Sequence, residues 1–211
     1  MYKNYFFRLL FLIFGLFIYA FGLVLMLKSA LGPSPWDVFH LGLANYTSLS
    51  LGQINQLMGL IIIFFSWFLG VKPGVGTLCN MFFIGFFMDL FLHSGFPPEP
   101  GSFAGRIIFL ISGTVIIGLA TAICIVANLG TGPRDSLMLA LHQKTGLRLG
   151  LIRSLLELAV VISGTLLKGG PGFGTLFFTL AIGPFVEVML AVLKRLIDLI
   201  WLTEFFEQEQ L

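Results

Sequence analysis

Residues 8–92 of this chain read again, without insertion or deletion, at 106–190. LGPSPWDVFHLGLANYTSLSLGQI at 31–54 aligns with LGTGPRDSLMLALHQKTGLRLGLI at 129–152, and PGVGTL at 73–78 aligns with PGFGTL at 171–176. Of the 85 aligned pairs about 29 are identical, and most of the others exchange one apolar residue for another. A duplication this long constrains the fold to two related halves, a construction common among membrane transporters. It also sorts the polar residues. Those present in both halves belong to the shared scaffold, and those present in one half are where a single function is built.

The 211 residues are 57% hydrophobic and 10% charged, with a mean hydropathy of +1.00. A soluble domain carries roughly 25% charged residues, so this chain cannot cover its own apolar surface in water and reads as a multi-pass membrane protein. Apolar stretches recur at 9–27, 57–71, 75–92, 107–127, 155–167 and 173–193, near the roughly 20 residues that cross hydrocarbon. The two short ones reach that length only by taking in Gln53, Asn55, Arg153 and Glu157. The first run follows Lys3 and Arg8 as a signal peptide would. It is long, lacks a small-x-small cleavage site and recurs at 106–128, so it is expected to be retained.

Several function classes fall away. Cys79 and Cys124 lie in apolar segments and read as packing residues, with no disulfide or metal site. A net charge of +2 without a basic stripe argues against nucleic acid. No H-E-x-x-H, cysteine pair or nucleophile elbow occurs. The expectation is a protein that is not an enzyme, with no catalytic residues, no metal and no cofactor.

The chain divides into a first membrane repeat (1–92), a Pro/Gly-rich linker (93–105), a second repeat (106–193) and a C-terminal tail (194–211). Each half runs in the same order: a long helix (7–28; 106–126), an LG turn, a short segment (35–47; 133–145), a second long helix (50–70; 148–168), a PGxGT turn and a third long helix (75–92; 173–193). Pro184 is expected to kink the last of these. The tail places Leu196, Ile197, Ile200, Trp201 and Phe205 on one face, a pattern suited to a helix lying in the membrane interface.

Thirteen helical residues rise about 20 Å, short of the roughly 30 Å of hydrocarbon. The short segments therefore read as half-helices, giving three crossings per half and a second half inverted relative to the first. Lysine and arginine then divide nine against three, with N- and C-termini cytoplasmic; four crossings per half divide them eight against four. The parallel arrangement stays open by that count.

The polar motifs each admit two readings. Ser34-Pro35-Trp36-Asp37 aligns with Gly132-Pro133-Arg134-Asp135. Proline suits a first helical position, and an aspartate three residues after a serine resembles a capping box; the same helix starts, if they face a cavity, place Asp37 and Asp135 where a cation or proton binds. Gly76-Thr77 and Gly174-Thr175 close PGxGT turns and read as turn and cap, without the remainder of a phosphate loop. Gln53, Asn55 and Gln56 enter one second helix, and Arg153 and Glu157 enter the other, four apart and able to pair. Charges inside a span usually face a cavity or a partner, so Glu157 and Glu187 read as functional, whereas Asp89 reads as interfacial. His40 and His142 do not align and read as interfacial histidines.

The phrases LGPSPWDVFHLGLANYTSLSLGQI and KPGVGTLCNMFFIGFFMDL resemble the bacterial membrane proteins grouped as YczE/YyaS/YitT. The resemblance covers nearly the whole chain; in the second half Arg134 replaces the tryptophan of the PWD motif. It implies a bacterial inner-membrane location and either transport or an accessory role, and it assigns no catalytic residue.

The expected architecture is an all-α polytopic membrane protein of two halves, each with three long helices and a half-helix. The expected function is a small secondary transporter or permease acting on a small solute. Asp37, Asp135, Gln53, Gln56, Arg153, Glu157 and Glu187 are its candidate binding residues. The alternatives are a non-transporting scaffold that contacts a partner protein or a second copy, and a substrate-capturing subunit of a larger transporter. Topology has a direct check. A Thr47→Cys variant is expected to react with a membrane-impermeant maleimide from outside intact cells; labelling only after the cytoplasmic side is exposed would establish the parallel arrangement.

Overall fold

Backbone N–H and C=O groups find no water in hydrocarbon, so a spanning segment must pair them internally. The computed structural model describes residues 2–199, and among these all regular structure is helical. Eight helices follow in order: α1 (Tyr2–Ser29), α2 (Pro35–Ala44), α3 (Leu51–Phe68), α4 (Val75–His93), α5 (Phe103–Ala127), α6 (Pro133–Thr145), α7 (Leu149–Leu166) and α8 (Phe173–Leu199). Six of them (α1, α3, α4, α5, α7 and α8) are long and apolar enough to cross a membrane. With 10 and 13 residues, α2 and α6 rise about 15 and 20 Å and cannot span. The protein is an all-α, multi-pass membrane protein.

Several boundaries differ from expectation: α1 begins at Tyr2 rather than 7, and α5 begins at Phe103, inside the expected linker, rather than at 106. Helix α2 stops at Ala44 rather than 47, where Asn45 turns its side-chain amide to the carbonyls of Leu167 and Lys168 (3.1 and 3.2 Å). Helix α8 continues through Pro184 and past 193 to Leu199. Residues 194–199 thus extend the last long helix instead of opening a separate tail, and Ile200, Trp201 and Phe205 lie outside the described residues.

The centre of the molecule is the antiparallel pair α1 and α5. Arg8 Nε, near the start of α1, donates to Ala127 O at the end of α5 (2.8 Å). Near the middle Gly22 faces Gly113, where a Cβ added to Gly113 would lie 2.8 Å from Gly22 O. Small residues permit this backbone approach, which drives helix association where the hydrophobic effect is weak. Leu12, Leu16, Leu23, Met26, Leu110 and Ile117 fill the surrounding core.

The turns are joined across the chain. Gly76 N–H donates to Leu129 O and Gly174 N–H donates to Leu31 O, both at 2.7 Å. Thr77 Oγ1 donates to Thr131 O (2.6 Å) and Thr175 Oγ1 to Pro33 O (2.7 Å). Each threonine also accepts from its own turn, from Gly74 N–H or Gly172 N–H (3.2 Å each). The PGxGT motif is therefore a turn, a cap and a clamp on a distant LG loop. Glycine is required at its fourth position because a Cβ on Gly174 would stand 2.4 Å from Gly32 O.

Gly113→Ala is expected to lower stability by about 1–3 kcal/mol through overpacking against the α1 backbone. Gly150→Ala, whose Cβ meets nothing within 4 Å, is expected to raise it by up to about 1 kcal/mol, the helix cost of glycine relative to alanine. Thermal unfolding in detergent measures both.

Candidate functional site: a charged cavity at the starts of the short helices

All eight helices contribute to a cavity of about 670 Å³. The first residues of α2 and α6 meet there: the Arg134 guanidinium carbon lies 4.6 Å from the centre of the Trp36 ring, a cation–π distance. These are aligned positions, and the substitution of arginine for tryptophan is what lets them attract each other.

The two aspartates are held differently. Ser34 Oγ accepts from Asp37 N–H (3.4 Å) and donates to Asp37 Oδ2 (2.6 Å), so residue and cap lock each other. Asp37 Oδ1 lies 3.3 Å from His40 Nδ1, without the alignment of a hydrogen bond, and both side chains are 1% exposed. In α6 the cap is Gly132, which has no hydroxyl to offer. Asp135 opens onto the cavity and forms no hydrogen bond or salt bridge among the described residues. Arg134 and Arg153 are near enough to act on its charge.

The other candidates separate into two places. Arg153 Nε pairs with Glu157 Oε1 at 3.0 Å, and both line the cavity. Glu187 lines it too, with no polar partner among the described residues. Gln53 and Gln56 do not. Gln53 Oε1 accepts from Ser50 N–H (3.0 Å) and completes the α3 capping box, while Gln56 Nε2 donates to Phe82 O (2.9 Å). Both border a separate shallow groove with Asp89 and His93. Asn55, about 200° round the helix from Gln53, faces the cavity instead. It is 8% exposed and its amide has no partner among the described residues.

Sequence reasoning left several cavity residues out of the candidate set, Asn80 among them. His40 is buried beside Asp37 rather than interfacial; its spacing of three from Asp37 on a helix was the available signal. Tyr19 and Thr121 also line the wall, and nothing in their apolar surroundings marks them. His142 sits at the end of α6 with Nδ1 2.7 Å from Leu147 O.

Residues 6–191 match a family of unknown function (DUF6198). The uncharacterised membrane protein YczE of Bacillus subtilis is 38% identical over 171 residues, covering 80% of this chain and 79% of its own. An uncharacterised protein of Haemophilus influenzae is 34% identical over 185 residues, covering 88% and 84%. The protein YyaS of Bacillus subtilis is 27% identical over 186 residues, covering 86% and 91%. This chain belongs to the YczE/YyaS family. No solved structure matches it.

For this YczE/YyaS family member the cavity offers groups of both signs. Among the described residues Arg134 is stacked but not salt-bridged, Asp135 and Glu187 are unpaired, and the side-chain amides of Asn55 and Asn80 have no hydrogen-bond partner. Such groups, held in an apolar body, suit a small polar or charged solute better than an apolar one. The different treatment of the two aspartates has a measurable consequence. Ser34→Ala is expected to cost about 1 kcal/mol of stability through the lost cap. Gly132→Ala, which breaks no side-chain cap bond, is expected to lower the melting temperature by less than Ser34→Ala does.

Proposed function

We propose that this protein is a small secondary transporter of the bacterial plasma membrane, built from two inverted halves with N- and C-termini in the cytoplasm. The observation that carries the reading is the cavity of about 670 Å³, walled by all eight helices and carrying at its surface two carboxylates, Asp135 and Glu187, that are unpaired among the described residues. Charges in a spanning region are costly and are retained where they serve a pathway.

The inverted arrangement is supported by the antiparallel α1 and α5, which are aligned in sequence, and by the exchange of turn contacts at positions 98 residues apart. Short helices whose starts converge on one cavity are the form in which broken-helix transporters present their sites. The nine-against-three division of basic residues supports cytoplasmic termini. In this reading Asp135 and Glu187 receive the solute or a coupling cation. Arg134 and the Arg153–Glu157 pair supply the opposite charge, and Asp37 with His40 holds the start of α2.

Purified protein in proteoliposomes, tested with a panel of small amines, amino acids and sugars under imposed proton or sodium gradients, puts the reading to trial. At least one solute is expected to move with a gradient. Asp135→Asn and Glu157→Gln are expected to slow that movement about tenfold or more, as loss of roughly 1.4 kcal/mol of interaction would, while Gln56→Ala stays within about twofold of wild type. The reading fails if no solute moves under any gradient, or if both carboxylate variants match wild type.

A further inference from the structure

Two glycines that pack α3 onto α4 have aligned counterparts with open space where a Cβ would stand. A Cβ on Gly52 would lie 2.1 Å from Gly85 O, and one on Gly85 would lie 2.4 Å from Gly52 O, so these backbones are in contact. Asp89 seals the seam: its Oδ1 accepts from Gly52 N–H (2.9 Å) and its Oδ2 accepts from Ser50 Oγ. The counterparts 98 residues on are Gly150, Gly183, Glu187 and Arg148. There a Cβ on either glycine would meet nothing within 4 Å. Glu187 has no polar partner among the described residues, and Arg148 caps α7 without a side-chain bond.

The gap is continuous with the central cavity. Gly183 and Glu187 line that cavity, whereas Gly85 and Asp89 do not. Only 11% of the apolar window of α7, and 11% of that of α8, is buried, against 39% for α3 and 28% for α4. The far end of α7 is nevertheless anchored on α2, where Gly164 lies against the Val38 backbone and Asn45 reaches Leu167 O. Helix α7 is thus fixed at its end and separated from α8 at its start.

A glycine inside a helix costs about 1 kcal/mol relative to alanine. Gly150 and Gly183 meet that cost in an arrangement that makes no use of them, and a closed seam would use both. We propose that α7 and α8 form a gate, seen here open, which closes by bringing Gly150 against Gly183 and Glu187 onto the start of α7. Arg148, standing where Ser50 stands in the closed seam, adds an ion pair to that latch. Because α8 begins beside the end of α1 (Gly174 to Leu31), the Glu187 end of the gate lies on the side of the α1 N-terminus. The gate rests on the transporter reading for its purpose, alternate exposure of the cavity; its motion is measurable without a substrate.

The probe is a short bis-methanethiosulfonate cross-linker applied to proteoliposomes of the full chain carrying Leu147→Cys and Ala191→Cys, which flank the latch and leave Arg148 and Glu187 in place, with Cys79→Ala and Cys124→Ala. Closure is expected to give a cross-link within one chain. Adding Gly150→Leu, which has room in the open arrangement and none in the closed one, is expected to reduce that product about tenfold while the melting temperature is kept. Absence of the intramolecular product, or its persistence with Gly150→Leu, overturns the gate. Cross-links formed only between two chains also overturn it, because a second copy then fills the gap. Failure to find a transported solute sinks the transporter reading and leaves this result standing.

Discussion

A helix begins with N–H groups that no residue of its own can pair, and a helix too short to cross a membrane cannot rely on headgroup water at both ends. This chain starts two such helices within its fold, and much of the remaining architecture answers that constraint. The loops that lead into α2 and α6 are held by the turns that open α8 and α4, through Gly174 to Leu31 and Gly76 to Leu129. The threonines of those turns tie the same loops through the carbonyls of Pro33 and Thr131. Each half therefore supplies the clamp that the other half's loop needs, and the starts of both short helices are brought to one cavity.

Given that frame, single substitutions between aligned positions set the chemistry. Serine at 34 confines the carboxylate of Asp37 to capping, and His40 adds a second buried contact. Glycine at 132 leaves the same carboxylate in α6 free to face the cavity. Tryptophan at 36 and arginine at 134, different residues at one aligned position, become a matched pair when the two helix starts meet. Gly59 gives way to Glu157, which brings a charge to the wall and a partner for Arg153. One scaffold thus carries a locked side and an open side.

The helices and their order were legible in the sequence because apolar length, Pro, Gly and capping residues act locally. The starts of α2, α3, α4, α6, α7 and α8 fall within one residue or so of where turn chemistry placed them. Side-chain direction was harder. Gln53, Asn55 and Gln56 read as one polar group, yet helical rotation sends Asn55 inward while the two glutamines serve a capping box and a carbonyl of α4. The role of PGxGT as a clamp was invisible, since its acceptors lie 54 and 142 residues away in sequence. His40 was misjudged for a related reason: its spacing of three placed it beside Asp37, but nothing local showed that distant helices would bury both.

Aligned residues that differ show where the two halves part in chemistry, and aligned residues that are identical but differently used show where they part in conformation. Gly52 and Gly150 are the same residue at the same helical position, and so are Gly85 and Gly183, yet one pair is in backbone contact and the other is not. No substitution at these four positions accounts for that. The separation has to come from the surroundings: from the glutamate in place of Asp89, which is longer by one methylene, from the arginine in place of Ser50, and from Pro184 immediately after Gly183, whose missing N–H weakens the helix there. All three lie at the gap itself. They leave the clamp of α8 on the LG loop and the anchor of α7 on α2 untouched, so the seam can differ between the halves while the frame that positions the cavity stays common to both.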